Sequence, residues 1–205
     1  MNDISDNHIE AARNLVSQSS IHAAESDMEE YTYAIAHVME TDAFIGSLME
    51  RLKSEEMLED TVLVFFTDHY GKYMTNRQLV MEMKGVDNAD FLCNTPFFIY
   101  HAGTDAREVD TVSSTMDIAP TIANLFGLDV QYQYYTGTDI FSEEEHYVIF
   151  PGNNWYDGEI YYTVNYDGEI TEKITNRNKE ILQKMKCSEY TLKSNYFSYL
   201  REKGQ

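Results

Sequence analysis

The sequence predicts an α/β fold, a layered sandwich in which helices flank a mostly parallel sheet and a small antiparallel extension lies near the C-terminus. Three observations support this prediction. The run Val62 to Phe66 is apolar without alternation, as in a strand buried on both faces of a parallel sheet. A long helical pattern lies directly before it. Two Asp-Gly pairs bracket a tyrosine-rich strand later in the chain.

Two helical patterns precede the apolar strand. Residues 1–24 form a polar lead-in with a short helix predicted at Ile9 to Val16. A longer helix is predicted from Ser26 to Lys53, because Ser26 or Asp27 can cap it and apolar residues then recur at helical spacing. These apolar residues are Ile35, Val38, Met39, Ile45, Leu48, Met49 and Leu52.

Three further elements are predicted in the middle of the chain. A short helix near Gln78 to Met83 precedes a second buried strand at Thr95 to Tyr100. A helix that Asp117 caps and Gly127 ends comes next. Its predicted buried stripe consists of Ile118, Ile122, Leu125 and Phe126.

The last third of the chain has a different pattern. Asp157-Gly158 and Asp167-Gly168 flank a short strand, Glu159 to Asn165, which predicts antiparallel hairpins. The stretch Asn176 to Leu200 is predicted to be helical. Its predicted apolar face consists of Ile181, Leu182 and Met185.

Length and composition limit the classes of protein. The chain has 205 residues, of which 43% are hydrophobic, so we expect one folded domain: a lead-in at 1–24, an α/β core at 25–150, and hairpins with a terminal helix at 151–205. The formal net charge of −20 argues against nucleic acid or an anionic membrane surface as a partner. Because the sequence has no run of 18 apolar residues and no signal peptide, we expect that this chain alone neither spans a membrane nor directs its own export.

Asp68 and His69 follow the apolar strand directly. In open α/β sheets, ligands collect at the carboxyl ends of strands. A carboxylate beside an imidazole at such a position is a good ligand pair for a divalent metal, so the sequence predicts a metal site here. The alternative is that Asp68 caps the next turn and His69 is an ordinary surface residue.

Four segments together resemble one family, the lipoteichoic acid synthase type of phosphoglycerol transferase, within the sulfatase branch of the alkaline phosphatase superfamily. Their order and spacing both fit, and the resemblance runs from about Tyr31 to the C-terminus. It implies an alkaline phosphatase-like fold, of which this chain is the C-terminal part. The segments are Phe66 to Gly71, Asn94 to Phe97, Met116 to Leu128 and Gly137 to Phe141.

The resemblance also implies a chemistry. Asp68 and His69 match two metal ligands of the family, usually to manganese, with zinc or magnesium in relatives. The family's threonine nucleophile and a glutamate ligand precede the matched region, so no catalytic residue is assigned in this chain. We expect the isolated chain to be inactive, and the parent protein to be membrane-anchored with this part at the extracellular face. A sheet edge left exposed by the absent strands is expected to promote self-association.

Two other functions remain open at this point. The same scaffold serves sulfatases and phosphatases, so the parent enzyme is either a transferase or a hydrolase of phosphate or sulfate esters. A non-catalytic sulfatase-like binding module is the other alternative, with the tyrosine-rich segments Tyr132 to Tyr135 and Trp155 to Tyr166 as its surface.

Overall fold

A computed structural model describes residues 4–68, 70–71 and 74–203. The chain divides into two compact units, Met1–Ala106 and Arg107–Gln205. Each unit combines helices with a small antiparallel sheet, which confirms the α/β class and the small antiparallel sheet near the C-terminus.

Two helices pack together at the start of the first unit. Helix α1 (Asp6–Gln18) and helix α2 (Glu25–Ser54) meet through small or compact side chains, Ala12 and Val16 on α1 and Thr32 and Ala36 on α2. In each helix the buried pair is four residues apart, which places both members on one face. The predicted long helix is thus confirmed to within one residue at each end, but its cap is wrong, since Ala24 occupies the cap position.

The sheet of the first unit has two strands. Strand β1 (Val62–Phe66) has the predicted bounds, and β2 (Phe97–His101) begins two residues after the predicted start. The two run antiparallel, with Val62 opposite His101 and Phe66 opposite Phe97. Between them lies the predicted short helix, α3 (Arg77–Lys84).

Strand pairing in the described part of the chain is antiparallel throughout, so the mostly parallel sheet predicted from the sequence is not found there. The prediction that β1 is buried on both faces is wrong for these residues, because Val62 to Val64 are only half-buried and Phe66 is 54% exposed. An apolar run indicates which residues are favourable to bury. It does not indicate whether the neighbouring strand is parallel or antiparallel, because that depends on residues far away in the chain.

The second unit begins with helix α4 (Ile118–Leu125). A 3₁₀ turn, Thr115–Asp117, leads into it, and Gly127 ends it with a φ of 59°, a conformation that glycine adopts without steric cost. The predicted buried stripe is wrong at its end, since Leu125 and Phe126 are about half exposed. Pro120, Thr121 and Ala123 are buried instead.

A three-stranded antiparallel sheet and two helices complete the second unit. The strands β3 (Val148–Ile149), β4 (Trp155–Tyr156) and β5 (Tyr161–Tyr162) are followed by α5 (Glu172–Lys193) and α6 (Tyr196–Lys203). The hairpin predicted at Asp157-Gly158 is confirmed as the β4–β5 turn. No strand follows Asp167-Gly168 among the residues that the structure describes, so the hairpin predicted there is wrong; α5 begins at Glu172 instead.

The core of the second unit forms where α5 packs on this sheet. Trp155, Ile174 and Ile181 are fully buried, and the ring of Trp155 stacks on Tyr162 at a centroid distance of 5.5 Å. The indole N–H of Trp155 donates to the side chain of Asn178 on α5 at 2.8 Å, which satisfies its one donor. Of the predicted apolar face of the terminal helix, only Ile181 is buried, while Leu182 and Met185 are more than 40% exposed.

None of the helices in the described residues is long and apolar enough to cross a membrane.

Candidate metal site and the segments around it

The predicted metal ligands follow β1. Asp68 lies two residues beyond the last residue of the strand, at a bend, and its side chain is exposed. His69 lies outside the described residues. Just before them, the hydroxyl oxygen of Thr67 is buried and has no hydrogen-bond partner among the described residues. The strand exit therefore brings at least one carboxylate to the surface beside an unsatisfied polar atom.

Two of the four resemblance segments meet at this end of the sheet. Because β1 and β2 run antiparallel with Phe66 opposite Phe97, the segment that follows β1 lies next to Asn94 to Pro96, which leads into β2. Lys84 fixes that second segment, since its ammonium group donates to the backbone carbonyl of Asn94. Burial lowers the pKa of Lys84, although the nearby Cys93 acts in the opposite direction.

The loop that leads from the strand exit to α3 is tied to the first turns of α2. The backbone N–H of Thr75 donates to both carboxylate oxygens of Glu30 at 3.1 Å. The amide of Asn76 donates to Asp27 at 2.7 Å, and its carbonyl oxygen accepts from the N–H of Leu79 to cap α3. These bonds restrict the path of the chain just after the candidate ligands.

The candidate site remains incomplete within the described residues. No group of three or more His, Cys, Asp or Glu side chains there is arranged to hold a metal ion. The other histidines considered in the sequence have local environments of their own. His37 lies within α2, His101 ends β2 and contacts the carbonyl oxygen of Glu59 at 3.0 Å, and His146 contacts that of Ser142 at 3.2 Å. His22 is exposed and lines a cavity of about 440 Å³ between α1 and α2.

The other two resemblance segments are bonded to each other in the second unit. The carboxylate of Asp117 is buried and accepts three hydrogen bonds, two from Ser114 and one, at 2.7 Å, from the backbone N–H of Thr138. The hydroxyl of Thr121 is also buried; it donates to the carbonyl of Asp117 at 2.6 Å and accepts from the N–H of Ile140 at 3.1 Å. Asp117 and Thr121 thus hold the loop 137–141 against the start of α4.

Gly137 allows this close approach. A Cβ atom at this position would lie 2.1 Å from the carbonyl oxygen of Met116, a distance that real side chains do not reach. The contact is with backbone, which cannot move aside as a flexible side chain would. The Gly-Thr-Asp segment therefore has a structural role at this point: it closes over the turn that begins α4.

Sequence analysis did not single out a buried arginine, Arg177 on α5. Its side chain is 4% exposed, its guanidinium lies 4.0 Å from the ring centre of Tyr147, and it pairs with Glu180 and Glu145. Burial raises the pKa of Tyr147, whose hydroxyl donates to Glu180 at 2.9 Å. The pairing of aromatic and cationic residues joins α5 to the segment before β3. In the sequence, the only sign of this burial is the helical spacing of Arg177 from Ile174 and Ile181, three residues before it and four after it.

Comparison with known proteins identifies the class of domain to which this chain belongs. The model of the sulfatase family matches residues 4–128, more than half of the chain, so this chain belongs to the sulfatase family.

Similar curated proteins carry the name lipoteichoic acid synthase. The chain is 31% identical over 114 residues to lipoteichoic acid synthase 2 of Bacillus subtilis, which covers 53% of this chain and 17% of that protein. It is 26% identical over 158 residues to the lipoteichoic acid synthase of Staphylococcus saprophyticus, covering 74% and 24%. A lipoteichoic acid synthase-like protein of Bacillus subtilis, YvgJ, is 23% identical over 159 residues, covering 72% and 26%. The matches thus span about a quarter or less of each relative's length.

Proposed function

We propose that this chain supplies two metal ligands, Asp68 and His69, to a phosphoglycerol transferase of the lipoteichoic acid synthase type. The observation that carries the proposal is the exposed carboxylate of Asp68 at the end of β1, in a chain of the sulfatase family. The name lipoteichoic acid synthase, which these relatives carry, supports a synthetic transferase over the hydrolases of the family. In the longer protein, this part would lie at the extracellular face of the cell membrane.

The two proposed ligands are of the types that bind a divalent metal, but two ligands are too few for a complete site. A carboxylate and an imidazole suit Mn²⁺, with Zn²⁺ and Mg²⁺ as alternatives, and the buried Thr67 hydroxyl adds an unsatisfied polar atom beside them. Catalytic sites usually have about three protein ligands, and the described residues offer no third one. The proposal therefore places the remaining ligands and the threonine nucleophile outside this chain.

The residues of this chain would act by positioning. The carboxylate of Asp68 and the imidazole of His69 would hold the metal, which, when bound, supplies a Lewis acid that activates a hydroxyl nucleophile and offsets charge on the phosphoryl group. The bonds of Thr75 and Asn76 to α2 would fix the loop behind the ligands, and Lys84 would hold the neighbouring segment through Asn94. Both interactions would limit the spread of ligand positions.

Manganese titration of the full chain tests the proposal. We expect weak Mn²⁺ binding in calorimetry or electron paramagnetic resonance, weakened at least about tenfold by Asp68→Ala or His69→Ala. Asp42→Ala and His37→Ala, on α2, are matched controls that leave binding unchanged. Binding that Asp68→Ala does not alter would contradict the site.

Activity assays on the same variants test the location of the nucleophile. The chain alone should not turn over a phosphate or sulfate ester with added Mn²⁺. Turnover that disappears in the Asp68→Ala variant would show that this chain carries its own nucleophile, and that part of the proposal would be wrong while the metal site would stand.

Two alternatives remain within the proposal. A sulfatase or phosphatase would use the same ligands on a different ester, and substrate profiling of the longer protein distinguishes these hydrolases from a transferase. A non-catalytic binding module is supported by the exposure of Tyr132 and Tyr134, each about 45% exposed. Such a module would show no metal dependence in its binding.

Self-association is also part of the proposal. The two-stranded sheet of the first unit leaves Phe66 and Phe98 each more than 50% exposed. Small sheets with open edges and exposed aromatic side chains tend to pair with another chain.

A further inference from the structure

Positive charge is concentrated in the last two helices. Residues 172–203 contain eight of the fifteen Lys and Arg residues and only four Asp and Glu residues, so this segment carries a net charge of +4 in a chain of −20. The net charge of the whole chain argued against an anionic surface as a partner. That argument does not apply to residues 172–203, whose own net charge is positive. Screening limits the range of surface charges to about 8 Å at physiological salt, so the local charge decides what binds here.

Part of this charge lies on one line along α5, which we call the outward stripe. Its members follow one another at spacings of three or four residues, which makes them neighbours on a helix surface. The stripe faces away from the buried positions Ile174 and Ile181 and extends for about 21 Å at the rise of an α-helix. Its members are Lys179, Leu182, Lys186, Tyr190 and Lys193.

The stripe alternates cations with exposed apolar or aromatic side chains. Tyr190 is 70% exposed and Leu182 is 46% exposed, which is costly in water for side chains of this size. Lys179 and Lys186 are exposed and have no salt-bridge partner within the described residues. Lys193 donates to Glu189, so its charge is partly neutralised.

We propose that the outward stripe binds the surface of a lipid bilayer with anionic headgroups. A headgroup layer offers an anion at every point along a straight 21 Å line, and the shallow apolar layer beneath accommodates a leucine and a tyrosine whose hydroxyl stays at the headgroup level. A protein partner would have to match this alternation with specific pockets. The inference goes beyond the proposed metal site and does not depend on it.

Vesicle binding tests the inference. The full chain is mixed with phosphatidylcholine vesicles, with or without phosphatidylglycerol, and the bound fraction is measured by sedimentation. We expect binding only to the anionic vesicles, reversed by added salt. Replacing Lys179 and Lys186 together by Gln should weaken binding by roughly 25-fold, about fivefold per charge. Tyr190→Ser should weaken it severalfold without a change in net charge.

The matched control removes two cations elsewhere. Arg51→Gln with Lys53→Gln, in the last turn of α2, lowers the net charge equally and should leave vesicle binding unchanged. An equal loss in the control would show that only total charge matters and would overturn the inference. Failure of the unmodified chain to bind anionic vesicles would overturn it too, including the case in which the same lysines bind soluble polyphosphate or an acidic protein instead.

Discussion

Replacing Thr121 by valine tests how the two segments of the second unit are held together. Thr121 is fully buried, and its hydroxyl serves as donor to Asp117 and acceptor for the N–H of Ile140. Valine keeps the volume but makes neither bond. A buried N–H without a partner costs about 1–3 kcal/mol, and loss of the second bond adds about 1 kcal/mol. We therefore expect the free energy of unfolding to fall by about 2–4 kcal/mol.

Tryptophan fluorescence gives an assay specific to this unit. Trp155 is the only tryptophan of the chain and is fully buried in the second unit, so its emission during urea denaturation follows that unit alone. The matched control is Thr175→Val on α5. There the hydroxyl makes the same kind of bond, to the carbonyl of Thr171 at 3.1 Å, but is exposed, so water replaces it and the cost stays within about 0.5 kcal/mol.

A serine variant separates the hydroxyl from the methyl group of Thr121. Thr121→Ser retains both hydrogen bonds and should cost only about 1 kcal/mol for the lost methyl group. If the valine variant proves as stable as Thr175→Val, or if serine costs as much as valine, the hydroxyl does not hold the loop and the reasoning is refuted.

Two further predictions concern charge and association. Burial raises the pKa of Asp157, but hydrogen bonds from Lys173 and the backbone together lower it more, so its pKa lies below the usual value. Asp157→Asn should therefore cost about 1–3 kcal/mol at neutral pH. The difference should shrink as the pH falls below the usual carboxyl pKa of about 4 and vanish once the folded state also binds the proton, and a difference that persists in strong acid would contradict this. In light scattering, Phe98→Ser should reduce self-association and Phe44→Ser, on exposed α2 surface, should not; a monodisperse monomer of the unmodified chain would refute the association.

Local patterns predicted the elements well. The apolar run gave β1 with the correct bounds, and the periodic spacing gave α2 to within a residue. The cap of α2 was missed because Ser26 lies inside the helix, where its side chain does not bond as a cap. The stretch Asn176 to Leu200 was predicted as one continuous helix. In the structure, α5 ends at Lys193 and Asn195 adopts a φ of 50°. The break was missed because the residues on both sides of it have helical spacing.

Long-range features were harder to predict. The direction of β2 against β1 depends on how the residues between them fold, so a parallel sheet was expected where the described strands pair antiparallel. The exposure of Leu125 and Phe126 was also missed. Helical spacing shows that residues share a face of the helix, but it does not show whether another element covers that face. Of the candidate site, the strand exit at Asp68 was found from the sequence, and the metal itself remains a prediction.

The bonds between Asp117, Thr121 and the loop that begins at Gly137 affect how sequences of this kind should be interpreted. These residues maintain a turn and a helix start through hydrogen bonds to one another and to the neighbouring backbone. A chain without enzymatic activity would need these residues equally in order to form the turn. The signature in a sequence therefore indicates this local fold, and activity should be assigned from the metal ligands and the nucleophile.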